Sequence, residues 1–237
     1  MRILVGTSGF SYAEWKGAFY PKELPATKML SHYAQRLPAV EINNTFYRLP
    51  KRSVLEGWAT QVPEGFRFAL KASRRITHTK RLVDAESETE YLLRTARALG
   101  PKLGVILFQL PPYLRKDLPR LERFLGLLTD DVPASFEFRH PSWFDEDVFT
   151  ALHDHDCALC TADTDEQAAA VRATAGWGYV RLRRSAYSDA ELRGWAHRLH
   201  AQTWDRAYVF FKHEDEAAGP RLAARLSELI GTAAVRA

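Results

Sequence analysis

The chain has 237 residues, 46% of them apolar, which is ordinary for a soluble globular protein and long enough to bury a sizeable core. Its net charge of +4 and pI near 9.1 are mildly basic and do not by themselves imply nucleic acid. The longest uncharged stretch near the middle, LGVILFQLPPYL, is too short to cross a membrane, and MRILVGTSGF lacks the apolar region and cleavage pattern of a signal peptide, so a cytoplasmic protein is expected.

In chain order, eight short segments read as strands: Ile3–Ser8, Ala39–Thr45, Arg67–Ser73, Gly104–Leu110, Ser135–Arg139, Ala158–Asp163, Tyr179–Arg183 and Ala207–Lys212. Segments of helical periodicity lie between them. Ser53 with Glu56, Ser87 with Glu90, and Ser188 with Glu191 have the spacing of capping boxes. Leu92, Leu93, Ala96 and Leu99 form one apolar face that stops at Gly100. Later faces carry Leu121, Phe124, Leu125 and Leu128, then Leu192, Trp195 and Leu199. A last helix starts near Gly219-Pro220 and presents Leu222, Leu226 and Leu229.

Strands alternating with helices argue for a parallel sheet. Eight units over residues 1–237 fit one closed α/β domain, a (β/α)8 TIM barrel. An open doubly wound sheet is the alternative, but GTSGFSY lacks the glycine spacing of a dinucleotide loop.

Side chains two apart on a strand share a face. On that count Glu41 and Asn43 share a face in VEINNTFYRLP, Ala69 shares one with Lys71, Leu107 with Gln109, Glu137 with Arg139, Thr161 with Asp163, Tyr179 with Arg181 and Arg183, and Phe210 with Lys212. Each such face turns polar toward the C-terminal end of its strand, where barrel enzymes keep their chemistry. Buried charge must be paired or must bind something. Three carboxylates (Glu41, Glu137, Asp163) and four cations (Lys71, Arg139, Arg181, Lys212) leave a positive surplus suited to a phosphate or carboxylate. A self-satisfied ion-pair network plugging the barrel is the plainer reading.

Loops after the first and fifth strands bring Tyr12, Trp15 and Trp143, which could stack on a ligand or simply cover the core. His78, His140 and His213 follow strands three, five and eight, so a divalent metal is conceivable, but their spacing matches no tight motif and no metal site is assigned. HDHDC at 153–157 reads as a solvated helix end away from the mouth. Cys157 and Cys160 lie three apart on a strand, facing opposite ways, and read as two small buried thiols.

Taken in order, GTSGFSYAEWKGAFYP, VEINNTFYRLP, FRFALKASRRITH, LGVILFQLPP, FEFRHPSWF, YVRLR and YVFFKHE resemble the YecE-like family of bacterial and archaeal proteins, a domain-of-unknown-function family, over nearly the whole chain. The resemblance implies a (β/α)8 barrel and implies no reaction. Where many members read RLHG and an Asn-rich FNN, this chain has Leu182-Arg183-Arg184-Ser185 and Phe211-Lys212-His213-Glu214, which makes the mouth more charged.

Three functions follow as expectations. The first is an enzyme acting on a small anionic substrate, with Glu41, Lys71, Glu137 and Asp163 in the chemistry and Asn43, Gln109, Arg139, Arg181, Lys212, Tyr12, Trp15 and Trp143 in binding; Lys71 could act instead as a Schiff-base nucleophile. The second is a nucleic-acid binder or processing enzyme, using the basic loop KASRRITHTKR beside the aromatic loops. The third is a barrel that binds a ligand without turning it over. Cofactor and oligomeric state are left open.

Overall fold

A computed structural model describes residues 1–166, 171–212 and 215–234. Eight parallel strands form a closed barrel in sequence order: β1 (Arg2–Ser8), β2 (Ala39–Ile42), β3 (Arg67–Lys71), β4 (Leu103–Gln109), β5 (Ala134–Glu137), β6 (Ala158–Asp163), β7 (Trp177–Leu182) and β8 (Arg206–Phe211), with β8 pairing back onto β1. The helices are α1 (Met29–Ala34), α2 (Arg52–Thr60), α3 (Glu86–Ala96), α4 (Leu118–Leu125), α5 (Glu146–Asp154), α6 (Asp189–His200) and α7 (Ala218–Ala234). This is the (β/α)8 TIM-barrel architecture. No helix among the described residues is long and apolar enough to cross a membrane.

Strand alternation splits the core in two. Outward side chains such as Val40, Phe68, Leu70, Phe108, Phe136 and Val209 pack against the helices in one large cluster. Inward ones, among them Leu4, Val105, Leu107, Cys160, Trp177, Tyr179, Tyr208 and Phe210, fill the lumen. The β1 and β2 backbones approach closely at Gly6, where a Cβ would stand 1.9 Å from the carbonyl oxygen of its register partner Ala39. Only glycine fits that approach.

Strands two, three and five are shorter at their C-terminal ends than the sequence suggests. At Asn43 the backbone turns helical (φ −82°, ψ −25°) and opens a 3₁₀ turn, Asn44–Phe46. A π-helical turn, Arg75–Thr79, follows β3. The hydrogen-bond ladder therefore stops where the mouth loops begin, a boundary that periodicity does not mark.

Of the three expected capping boxes one forms. Ser188 Oγ accepts from the Glu191 N–H, and the Glu191 carboxylate accepts from the Ser188 N–H. At α2 and α3 the cap positions are Lys51 and Ala85, so Ser53 and Ser87 sit inside the first turn instead. Gly100 does end its helical segment, in the left-handed region at φ 55°.

Candidate functional site

The C-terminal ends of the strands bring a charged cluster together inside the barrel. Arg181 on β7 is 2% exposed and lies between two carboxylates: its Nη2 donates to Glu41 Oε1 on β2 at 2.8 Å, and its Nη1 to Glu137 Oε2 on β5 at 2.5 Å. Glu41 is further held by Ser8 Oγ at 2.7 Å, Asn43 Nδ2 at 3.0 Å and the Tyr179 hydroxyl at 2.7 Å. Glu137 accepts from Gln109 Nε2 at 2.8 Å and Arg139 Nε at 3.1 Å, with Arg183 Nη1 at 3.7 Å. Burial opposes the charge on both carboxylates, but Arg181 and the other donors outweigh it. Glu41 is held below the usual carboxylate range, and Glu137 is lowered to about 2.

Saturated with donors and ionised, these two carboxylates are poorly suited to exchange protons near neutrality. They are suited to hold Arg181, which is buried among them; its Nε alone has no hydrogen-bond partner. Burying this much charge is tolerable because each group is paired.

Four cations meet two carboxylates here, leaving a surplus of positive charge on the solvent side. Lys71 is half-buried on β3, its Nζ 4.2 Å from the centre of the Phe46 ring. Burial, and then Arg181, lower its amine to about 8. Burial, then Lys71 and Arg139, lower the His78 imidazole. Burial, then Arg181, disfavour the charge on Arg183. Beside them a cavity of about 570 Å³ opens between the ends of β5, β6 and β7. Arg139, Arg183, Phe144, Cys160, Thr161 and Thr164 are among its lining residues. β5 pairs with β6 only at Ser135–Ala158 and Phe136–Leu159, so the strands separate above that point and make the space. Asp165 and Glu166 stand at the same cavity, and Asp165 accepts from the Ser185 N–H and hydroxyl.

Several expected site residues lie elsewhere. Asp163 is on the other face of β6: the inward residues are Ala158 and Cys160, with Ala162 in register with Arg181. Its carboxylate is buried outside the barrel lumen, accepting from the Tyr187 hydroxyl at 3.0 Å and lying 3.0 Å from Arg184 Nε. The polarity of Asp163 suggested the wrong phase, because the loop after β7 supplies it with partners. Lys212 is exposed just past β8. Trp15 is buried among Tyr12, Phe19 and Tyr20, and the half-buried Tyr12 donates to the Ser8 carbonyl. Trp143 is buried too, stacked on Phe138 at 4.7 Å with its Nε1 donating to the Leu114 carbonyl. The next residue, Phe144, faces the cavity.

Ser8, His78, Phe144, Tyr179 and Arg183 are not among the site residues expected from the sequence, although His78 is weighed there as a metal ligand and Tyr179 and Arg183 are set on the face of Arg181. Tyr179 and Arg183 share the alternation that singled out Arg181, so that signal was present; Ser8 needs the β1–β2 register, which pairs it with Glu41. His140 caps a 3₁₀ turn through Ser142, His78 bonds Thr77 Oγ1, and His213 lies outside the described residues. No group of three or more His, Cys, Asp or Glu among the described residues is placed to hold a metal ion.

Known proteins share this architecture. The chain is 33% identical over 144 residues to the UPF0759 protein YecE of Escherichia coli (strain K12), covering 60% of this chain and 50% of that one. It is 29% identical over 150 residues to the UPF0759 protein YunF of Bacillus subtilis (strain 168), covering 60% and 52%. The chain therefore spans about half the length of these relatives. The crystal structure of a DUF72 family protein (TM1631) from Thermotoga maritima MSB8 superposes with a TM-score of 0.85 at 23% identity, over 98% of this chain and 100% of that one. At that identity the likeness speaks for the fold alone. The family model described as "Protein of unknown function DUF72" matches residues 4–237, and the chain belongs to that family.

Proposed function

We propose that the barrel mouth binds a small anionic molecule, phosphorylated or carboxylated, and that the protein is an enzyme acting on it by acid/base chemistry. One observation carries this reading: Lys71, His78 and Arg183 all have their charged forms disfavoured, with neighbouring cations contributing beside burial. An anion among them would relieve all three at once. Arg139 and Arg183 line the cavity and can grip an oxyanion through paired N–H groups. Lys71, with its amine lowered to about 8, is the group best poised to give or take a proton near neutrality. Glu41 and Glu137 then act as positioning residues for Arg181, in place of the acid/base roles that their residue type suggests. A cytoplasmic setting belongs to the same proposal and fits two free, buried thiols.

A screen of phosphorylated sugars and small carboxylates by thermal shift tests it. A ligand at about a hundred times its Kd adds about 2.7 kcal/mol. We expect stabilisation by a small anion that is lost in Arg183→Ala, and turnover of that compound that is lost in Lys71→Met. Binding without turnover would leave a non-catalytic binding barrel. Tight binding unaffected by Arg183→Ala would overturn the site.

A second reading, nucleic-acid binding, is favoured by three exposed rings on loops that follow strand ends: Tyr47, Tyr113 and Phe144. Exposed rings near basic side chains can stack bases while cations follow phosphates. It requires oligonucleotide affinity that falls steeply with salt.

A further inference from the structure

We propose that the opposite, N-terminal end of the barrel holds a second anion site, in which Arg2, Arg67 and Arg206 gather around Tyr208 to take a phosphate-type oxyanion. The three arginines open β1, β3 and β8. Each is in phase with inward residues of its own strand: Arg2 with Leu4, Arg67 with Ala69, Arg206 with Tyr208. Arg2 and Arg206 are direct register partners on neighbouring strands. Like charges so placed repel, and among the described residues no carboxylate forms an ion pair with any of the three.

The site is built rather than incidental. A cavity of about 420 Å³ is lined by Arg2, Arg67, Arg206, Trp177 and Tyr208, with Asp156 and Asp205 also present. Arg2 Nη2 donates to the Gly65 carbonyl at 2.8 Å, and Arg67 Nη1 to the Glu64 carbonyl at 2.8 Å and the Phe66 carbonyl at 2.9 Å. One turn thus holds two guanidinium groups in place and leaves their other N–H groups available. Asp156 Oδ1 is occupied by the Gly176 N–H. Tyr208 is 1% exposed, and its hydroxyl has no hydrogen-bond partner among the described residues. Its oxygen is open to the cavity rather than enclosed by protein. Here it borders a cavity that three guanidinium groups share, where an oxyanion could accept from all four groups.

The proposal is independent of the mouth reading, and one titration separates them. Inorganic phosphate is titrated calorimetrically into the full chain at low ionic strength, and into Arg206→Gln, Tyr208→Phe and Arg139→Ala. The Arg206 side chain and the Tyr208 hydroxyl make no protein hydrogen bond among the described residues, so neither variant loses one and both should fold. We expect saturable phosphate binding that persists in Arg139→Ala and weakens about tenfold or more in Arg206→Gln, and about tenfold in Tyr208→Phe. The melting temperature of Tyr208→Phe without phosphate should match that of the parent. Absence of saturable binding overturns the proposal. So does binding that Arg206→Gln and Tyr208→Phe leave unchanged, or binding abolished by Arg139→Ala alone, which would assign the phosphate to the mouth.

Discussion

Arg181 reaches across the barrel lumen from β7 to donate its Nη2 to Glu41 Oε1 on β2, at 2.8 Å. The same guanidinium holds Glu137 on β5, so one side chain ties three separate strands together at the level where the ladders end. The contact explains why charge is tolerated in the lumen, and leaves Arg139 and Arg183 to share Glu137 with Arg181.

Removing Arg181 alone should be severe. Arg181→Met leaves two buried carboxylates without their shared cation, and we expect a loss of about 3–5 kcal/mol in urea denaturation. The triple variant Arg181→Met, Glu41→Gln, Glu137→Gln removes the charges together and should recover most of that loss. A triple variant as unstable as the single one would mean that packing, rather than charge pairing, is what Arg181 supplies.

Acid should destabilise the protein in a defined window. Glu137 titrates near 4.5 when unfolded and is lowered to about 2 in the fold, and Glu41 is shifted the same way. Both bind protons more weakly when folded. The stability they add is complete above the unfolded value and drains away as pH falls toward the folded one. Denaturant midpoints measured from pH 5 to about 2 should fall steeply, and the slope should be shallower in Glu137→Gln.

Lys71 is shifted in the same direction at alkaline pH, but there it is the charged form that burial disfavours. Its amine, lowered from 10.5 to about 8, releases its proton earlier in the folded state than in the unfolded one. Stability should therefore rise between pH 8 and 10.5, and the rise should vanish in Lys71→Met. Labelling by an amine-directed reagent, followed by mass spectrometry, should show half-maximal reactivity of Lys71 near pH 8. A bound anion should move that midpoint upward. Reactivity near that of an ordinary lysine would remove Lys71 from the proposed chemistry.

Gly6→Ala should disrupt the barrel itself. The added Cβ would stand 1.9 Å from the Ala39 carbonyl oxygen, which also accepts from the Tyr33 hydroxyl at 2.8 Å. Neither backbone can retreat without breaking the β1–β2 ladder. A loss of more than about 3 kcal/mol is expected, at the far end of single-substitution effects. A near-neutral midpoint would show that the two strands have room to separate.

Helix caps offer a smaller, paired test. Ser188→Ala breaks a formed capping box and should lower stability by about 1 kcal/mol. Ser87→Ala alters a first-turn residue of α3 that caps nothing, and should change it by less than about 0.5 kcal/mol. Equal effects would contradict the cap assignment.

By itself the sequence determined the architecture. Eight apolar strand segments alternating with amphipathic helices have one economical closure, and burial demands do not depend on distant partners. The same periodicity put Glu41, Lys71, Gln109, Glu137 and Arg181 on the inward face, because a period of two is a local backbone property. It misplaced Asp163, since β6 has small residues on one face and mixed ones on the other, and only the register with β7 selects between them. It left Trp15 and Trp143 between stacking on a ligand and covering the core, and tertiary packing buries both and leaves Phe144 at the cavity. Which carboxylates are saturated, which amine is depressed, and that Arg2, Arg67 and Arg206 surround one phenol were decided by the tertiary structure alone. Those properties arise from through-space distances between strands far apart in the chain, and electrostatic interaction depends on distance and burial rather than on sequence order.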